Sequence, residues 1–186
     1  MAEATKVFAI SGSLRKGSFN RLVLKAAIEL APPGMSIDHY ENLGDIPPYN
    51  DDVREKGYPP VVEDLRKRVK AADAILFVTP EYNYSVPGVL KNAIDWASRP
   101  PEPPLDSKPC AMMGASISLL GSARAQYHLR QMCVFLNMFP INRPEVMIAQ
   151  AQNKFDAQGK LTDETARKLI TDLLKNLAGW VQRLRK

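Results

Sequence analysis

The sequence predicts a doubly wound α/β domain with helices on both faces of a parallel sheet, and three observations predict it. Short apolar runs alternate along the whole chain with stretches that are amphipathic at helical spacing. One run, Ala74 to Thr79, is apolar almost throughout, which suits a strand covered on both faces. A loop of small hydroxylated residues, Gly12 to Asn20, separates the first apolar run from the first helix, where open α/β sheets gather ligands.

The elements follow in order. Val7 to Ile10 reads as a buried strand, followed by a helix from about Asn20 with Leu22, Val23, Ala26, Ala27 and Leu30 on one face. After the turn Ala31-Pro32-Pro33-Gly34, Ser36 to Tyr40 reads as a second strand. Gly44 to Pro60, with four prolines and Asn50-Asp51-Asp52, reads as a long functional loop. Val61 to Ala72 forms an amphipathic helix with Val62, Leu65 and Val69 inward. The third strand, Ala74 to Thr79, leads into a helix after Gly88, and the proline-rich Pro100 to Pro109 connects to a fourth strand near Cys110 to Ala115. Arg124 to Phe139 is a long helix, and Val146 to Ala149 a short fifth strand. Thr162 caps a closing helix that runs to Arg185.

Composition narrows the function classes. With 186 residues the chain fits a single domain, residues 1–186, without repeats or low-complexity segments. No apolar run approaches a membrane span and no signal-peptide core is seen, so no membrane partner is expected. Cys110 and Cys133 lie far apart without a Cys-x-x-Cys, so neither a structural disulfide nor a zinc site is expected, and a reducing cytoplasm is the natural location. His39 and His128 have no local ligand partners, so no metal is expected. The formal net charge is +5, much of it near the C-terminus in Arg167, Lys168, Lys175, Arg183, Arg185 and Lys186. The last three complement a helix dipole. The charges form neither a run interleaved with several aromatic residues nor a recognised module, so no nucleic acid is expected, although the surplus draws anionic substrates.

The loop Gly12-Ser13-Leu14-Arg15-Lys16-Gly17-Ser18-Phe19-Asn20 carries the first functional signal. Backbone N–H groups at a helix start point at an anion, and the helix dipole favours negative charge there. Ser13 and Ser18 add hydroxyls, Asn20 an amide and Arg15 a charged fork. Gly-x-Gly-x-x-Gly is absent from the chain, and Ser18 stands where a P-loop would carry its lysine. Hydroxyls and one arginine around a single helix start suit a terminal phosphate monoester, such as that of flavin mononucleotide (FMN). A Ser/Gly turn with a solvated basic pair is the bland alternative.

The second signal follows the third strand: Thr79-Pro80-Glu81-Tyr82-Asn83-Tyr84-Ser85-Val86-Pro87-Gly88, then Val89-Leu90-Lys91-Asn92-Ala93-Ile94-Asp95-Trp96. Two prolines stiffen it, and Gly88 is expected to allow close packing at the helix start. Tyr82 and Tyr84 offer flat surfaces for a ring, and Asn83 with nearby amides offers hydrogen bonds to its edge. A proline-rich turn with packed tyrosines is the structural alternative.

These two motifs, with Ala123 to Gln131 and Gln152 to Asp156, resemble the NADPH-dependent FMN reductase family, nearest its soluble quinone or chromate reductases. The resemblance implies a flavodoxin-like five-stranded sheet of order 2-1-3-4-5, non-covalent FMN, and NAD(P)H as co-substrate. It implies that Ser13, Arg15, Ser18, Phe19 and Asn20 hold the phosphate and ribityl chain. Pro80, Glu81, Tyr82, Asn83 and Tyr84 would line the isoalloxazine, and Ser116 would contact its other end. Acceptors in the family include quinones, chromate, free flavins and azo dyes. Members pair as dimers or tetramers, and Arg124, Tyr127 and Glu145 match positions used between subunits. The cofactor carries hydride at N5, so no side chain is assigned as a catalytic acid or nucleophile. Tyr84 and Arg99 are the candidate substrate contacts, with a helix C-terminal cation as the alternative for Arg99. Pro100 to Pro104 is expected to border the substrate mouth. A flavodoxin-type electron carrier is the rival reading, against which the basic charge argues.

Overall fold

The computed structural model describes residues 4–185, so Lys186 lies outside the described residues. Five strand positions form one parallel sheet in the order β2-β1-β3-β4-β5, as the resemblance implies. The strands are β1 (Thr5–Ser11), β2 (Met35–Tyr40), β3 (Ala74–Val78) and β4 (Pro109–Ala115). The fifth position is shared by two pieces, β5 (Phe139–Pro140) and β6 (Val146–Ile148). β5 pairs with the start of β4 at Pro109 and Cys110, and β6 with its end at Met113 to Ala115. The sequence showed only the second piece, because a two-residue strand ending in proline carries no period to read.

Alternation along the strands divides the core in two. Phe8, Ile10, Ile75, Phe77, Cys110 and Met112 face α3 (Pro60–Ala71), α4 (Gly88–Ala97) and α5 (Ala123–Phe135). Val7, Ala9, Leu76, Val78, Ala111 and Met113 face α1 (Phe19–Glu29) and α6 (Glu164–Leu184). Both faces are therefore covered, which is why β3 and β4 are buried at every position. β2, an edge strand, alternates between half-buried and exposed positions before its buried end at Tyr40.

Two helix boundaries and one added short helix differ from the sequence expectation, each for a local reason. α5 stops at Phe135, not Phe139, because Asn137 turns left-handed at φ 51°. Met138 N–H then donates to Cys133 O at 2.9 Å, closing the helix end and releasing Phe139 into β5. α6 is capped by Asp163 rather than Thr162, its carboxylate accepting from Ala166 N–H at 2.8 Å. The long loop after β2 contains a short helix, α2 (Asp51–Arg54), capped by Asn50. Cys110 and Cys133, distant in sequence, are core neighbours with free thiols and sulfurs 3.8 Å apart. Their shared hydrogen bond, with burial, holds the Cys110 thiol well above its usual range.

Candidate functional site

Parallel strands that all end at one edge bring the loops after β1, β3 and β4 together, and specific contacts stitch them. Gly12 N–H donates to Val78 O, and a Cβ at Gly12 would lie 3.2 Å from Pro80 and 3.1 Å from Leu90. Ser13 Oγ and Tyr82 OH are 3.4 Å apart. Gly114 is tighter still, since a Cβ there would meet Thr79 O at 2.2 Å and Ser122 Oγ at 2.1 Å. Any larger residue would push β3 and β4 loops apart.

Asn20 joins the third loop to the first. Its Nδ2 donates to Ala115 O and its Oδ1 accepts from Ala115 N–H, both at 2.9 Å, in a site 3% exposed. The amide expected to reach a ligand is thus engaged in the fold, and its helix positions the loop instead. Ser18 caps α1 by accepting from Asn20 N–H at 3.2 Å. Phe19 stacks on Phe155 with ring centroids 5.6 Å apart.

Within the first loop, Ser13, Leu14, Lys16, Gly17 and Phe19 have backbone N–H groups that donate to no group among the described residues. Arg15 is exposed, its guanidinium folded beside Gly17. Adjacent free donors, the buried hydroxyls of Ser13 and Ser18, and one cation at a helix start are the donor set of a phosphate monoester. FMN fits this cradle.

The second loop is a two-residue hairpin. Tyr82 and Ser85 exchange backbone hydrogen bonds at 3.0 Å, and the central residues have φ 48° at Asn83 and 67° at Tyr84. That is a type I′ turn made without glycine: Asn83 tolerates the left-handed region, whereas Tyr84 there costs roughly 1–2 kcal/mol. The loop's own contacts hold it. The Arg124 guanidinium lies 3.4 Å above the Tyr84 ring centroid. Glu81, whose side chain is 6% exposed, pairs with Arg124 and accepts from the backbone N–H groups of Arg124 at 2.9 Å and Ala125 at 3.3 Å. Ser122 makes no side-chain cap for α5, so Glu81 caps the helix from another loop. Tyr82 and Tyr84 remain exposed, and Pro80 O accepts from Thr79 Oγ1. Ser116 organises its own loop, its Oγ donating to Ser118 Oγ and accepting from Ser118 N–H.

Three expectations need correction. Gly88 is not a close-packing residue, since a Cβ there meets nothing within 4 Å. Arg99 is not brought to this edge within the chain: it lies beyond the far end of the ten-residue α4, about 15 Å along the helix from the loop. There its Nε donates to Asp95 O and its guanidinium lies 5.3 Å over Tyr49, the helix C-terminal alternative. Pro100 to Pro104 follows α4 toward the opposite strand edge, away from the mouth. Arg66 holds it by donating to Arg99 O and Pro101 O at 2.8 Å, and Lys70 pairs with Glu102. The residues sequence reasoning missed are Gly114, Ala115 and His128. Only His128 carried a signal, as one of two histidines and a member of the Ala123 to Gln131 motif.

The same chemistry recurs in known proteins. The family model described as NADPH-dependent FMN reductase matches residues 5–153. The chain belongs to the NADPH-dependent FMN reductase family. This FMN reductase family member is 60% identical over 185 residues to a Pseudomonas aeruginosa protein named NAD(P)H-dependent FMN reductase, covering all of both chains. It is 44% identical to an Escherichia coli protein named quinone reductase, again over the full length of both. Among solved structures it is similar to FerB, a flavoenzyme NAD(P)H:(acceptor) oxidoreductase from Paracoccus denitrificans. The TM-score is 0.88 at 34% identity, covering 97% of this chain and 98% of that one. Among the described residues of this FMN reductase family member, no helix is long and apolar enough to cross a membrane.

Proposed function

We propose that the protein is an FMN-dependent NAD(P)H oxidoreductase that reduces quinones by two electrons. The observation that carries this reading is the meeting, at one strand edge, of a phosphate cradle and an exposed tyrosine hairpin. FMN supplies hydride acceptance and donation when bound. Ser13, Arg15, Ser18 and the undonated loop N–H groups hold its phosphate, while Phe19 and Asn20 fix the helix behind the ribityl chain. Pro80, Glu81, Tyr82, Asn83 and Tyr84 line the ring, and Ser116 closes the other end. The Asn83 and Tyr84 N–H groups, which donate to no group among the described residues, would be the donors available to stabilise negative charge at its edge.

No dinucleotide fingerprint is present, so nicotinamide nucleotide and acceptor share this open edge in turn, with Tyr84 as a contact for both. An open edge also admits chromate and free flavins. The relatives named quinone reductases support a quinone acceptor. A homodimer or homotetramer is part of the proposal: Tyr127, Val134, Phe135, Ile117 and Leu119 are exposed apolar residues on and before α5, the helix that also carries Arg124. Exposed Glu145 precedes β6 and offers a charge to such an interface. With two free thiols and no expected disulfide, a cytoplasmic enzyme fits this chemistry.

The deciding experiment is anaerobic. Purified protein should be yellow, bleach on addition of NADH or NADPH, and recolour with benzoquinone. Initial rates at varied nucleotide and quinone should give parallel reciprocal lines. A yellow protein that neither nucleotide bleaches would instead be an electron carrier.

A further inference from the structure

His128 takes no part in the site as the sequence describes it, yet it touches the hairpin. Its Nδ1 is 2.9 Å from Ser85 Oγ, and both residues are half-buried. Ser85 is the closing residue of the left-handed Asn83–Tyr84 turn, paired through its backbone with Tyr82. Tyr82, Asn83 and Tyr84 are all exposed, so no core packing imposes the turn's geometry. The restraints come from α5. Arg124 covers Tyr84, and one helical turn later His128 holds Ser85. α5 can act as a rigid back wall because Ala125, Leu129 and Cys133 anchor its other face in the core. Arg124 is itself pinned by Glu81 of the same loop, so His128 is the tether that reaches the hairpin's closing residue independently of that ion pair.

We propose that His128 is a positioning residue for the cofactor. Through Ser85 it holds the Asn83 and Tyr84 N–H groups in the left-handed geometry in which both can donate to bound FMN. The inference rests on the FMN reading above. Without the His128 contact the turn would keep only its own backbone pair and the Arg124 cover, so Asn83 and Tyr84 would leave the left-handed geometry more often. Preorganised donors would become donors that must be ordered at binding.

The test is FMN affinity of the apoprotein, followed by flavin fluorescence, with the flavin absorption band and thermal midpoint recorded alongside. His128→Ala and Ser85→Ala should each weaken FMN about tenfold, the scale of one lost hydrogen bond, with a shifted absorption band and little change in midpoint. The double variant should be no weaker than either single one, since both remove the same tether. His128→Asn, whose amide reaches the place of Nδ1, should bind FMN within about twofold of the parent, well inside one hydrogen bond's worth. Unchanged affinity in both alanine variants, multiplicative effects in the double variant, or failure of His128→Asn to rescue would overturn the proposal. If His128→Ala does not fold, the Ser85→Ala and His128→Asn pair decides the same question. A parent protein that binds no FMN would overturn the cofactor reading itself, which separates the two failures.

Discussion

Asn20 and Ala115, 95 residues apart, exchange two hydrogen bonds of 2.9 Å in a buried site. One side chain on α1 thereby satisfies both backbone groups of the last β4 residue, which still pairs with β6 but lies beyond the end of its pairing with β3. The clamp fixes the distance between the loop after β1 and the loop after β4. Asn20→Ala should leave the Ala115 N–H and C=O unpaired and destabilise the fold by about 2–4 kcal/mol. Urea unfolding midpoints measure this directly. A loss below about 0.5 kcal/mol would mean that water replaces the amide without cost.

Arg15 has the opposite character, exposed and attached to no core. Arg15→Ala should leave stability nearly unchanged while weakening FMN by about 1.5–3 kcal/mol, the scale of a charged hydrogen bond. Equilibrium dialysis of the flavin separates the two effects, and undiminished retention would count against the phosphate assignment.

Glu81 and Arg124 are unequal partners. The carboxylate is 6% exposed and accepts from two backbone N–H groups besides the guanidinium, whose side chain is 30% exposed. Glu81→Ala uncaps α5 and releases Arg124 at once, for an expected loss of about 2–3 kcal/mol. Arg124→Ala leaves the carboxylate its two backbone donors and should cost about 1 kcal/mol, chiefly from the Tyr84 contact. Equal losses in thermal or urea unfolding would show that the ion pair, not the cap, dominates.

Tyr40 gives a pH signature outside the two candidate loops. Burial, reinforced by the charge of Asp64, pushes its hydroxyl up to about 12, and the hydroxyl donates to Val61 O at 3.0 Å. A tyrosine raised in the folded state contributes stability that is complete below its unfolded value near 10 and lost as pH rises towards 12. Phenolate absorbance should therefore show Tyr40 titrating late. Tyr40→Phe should remove that late step and cost about 1 kcal/mol at neutral pH. An unaltered titration in the variant would refute the assignment.

The sequence by itself determined the layered α/β fold, since alternation at period two and helical spacing are properties of neighbouring residues. It also marked both candidate ligand loops, because glycines, hydroxyls and prolines restrict a backbone locally wherever they occur. Tertiary structure alone decided what those loop residues do. Whether the Asn20 amide meets a ligand or Ala115 depends on a strand 95 residues away. Glu81 caps a helix that begins at Ala123, and Gly114, unlike Gly88, proves to be under steric demand. Arg99 and the proline stretch went to the far side because a helix displaces its end by its own length, a vector no local pattern carries. His128 acquired its role only when α5 was laid against a hairpin 43 residues earlier. Local chemistry sets what a segment can do; which partner it meets is fixed by how the strands order and the helices pack.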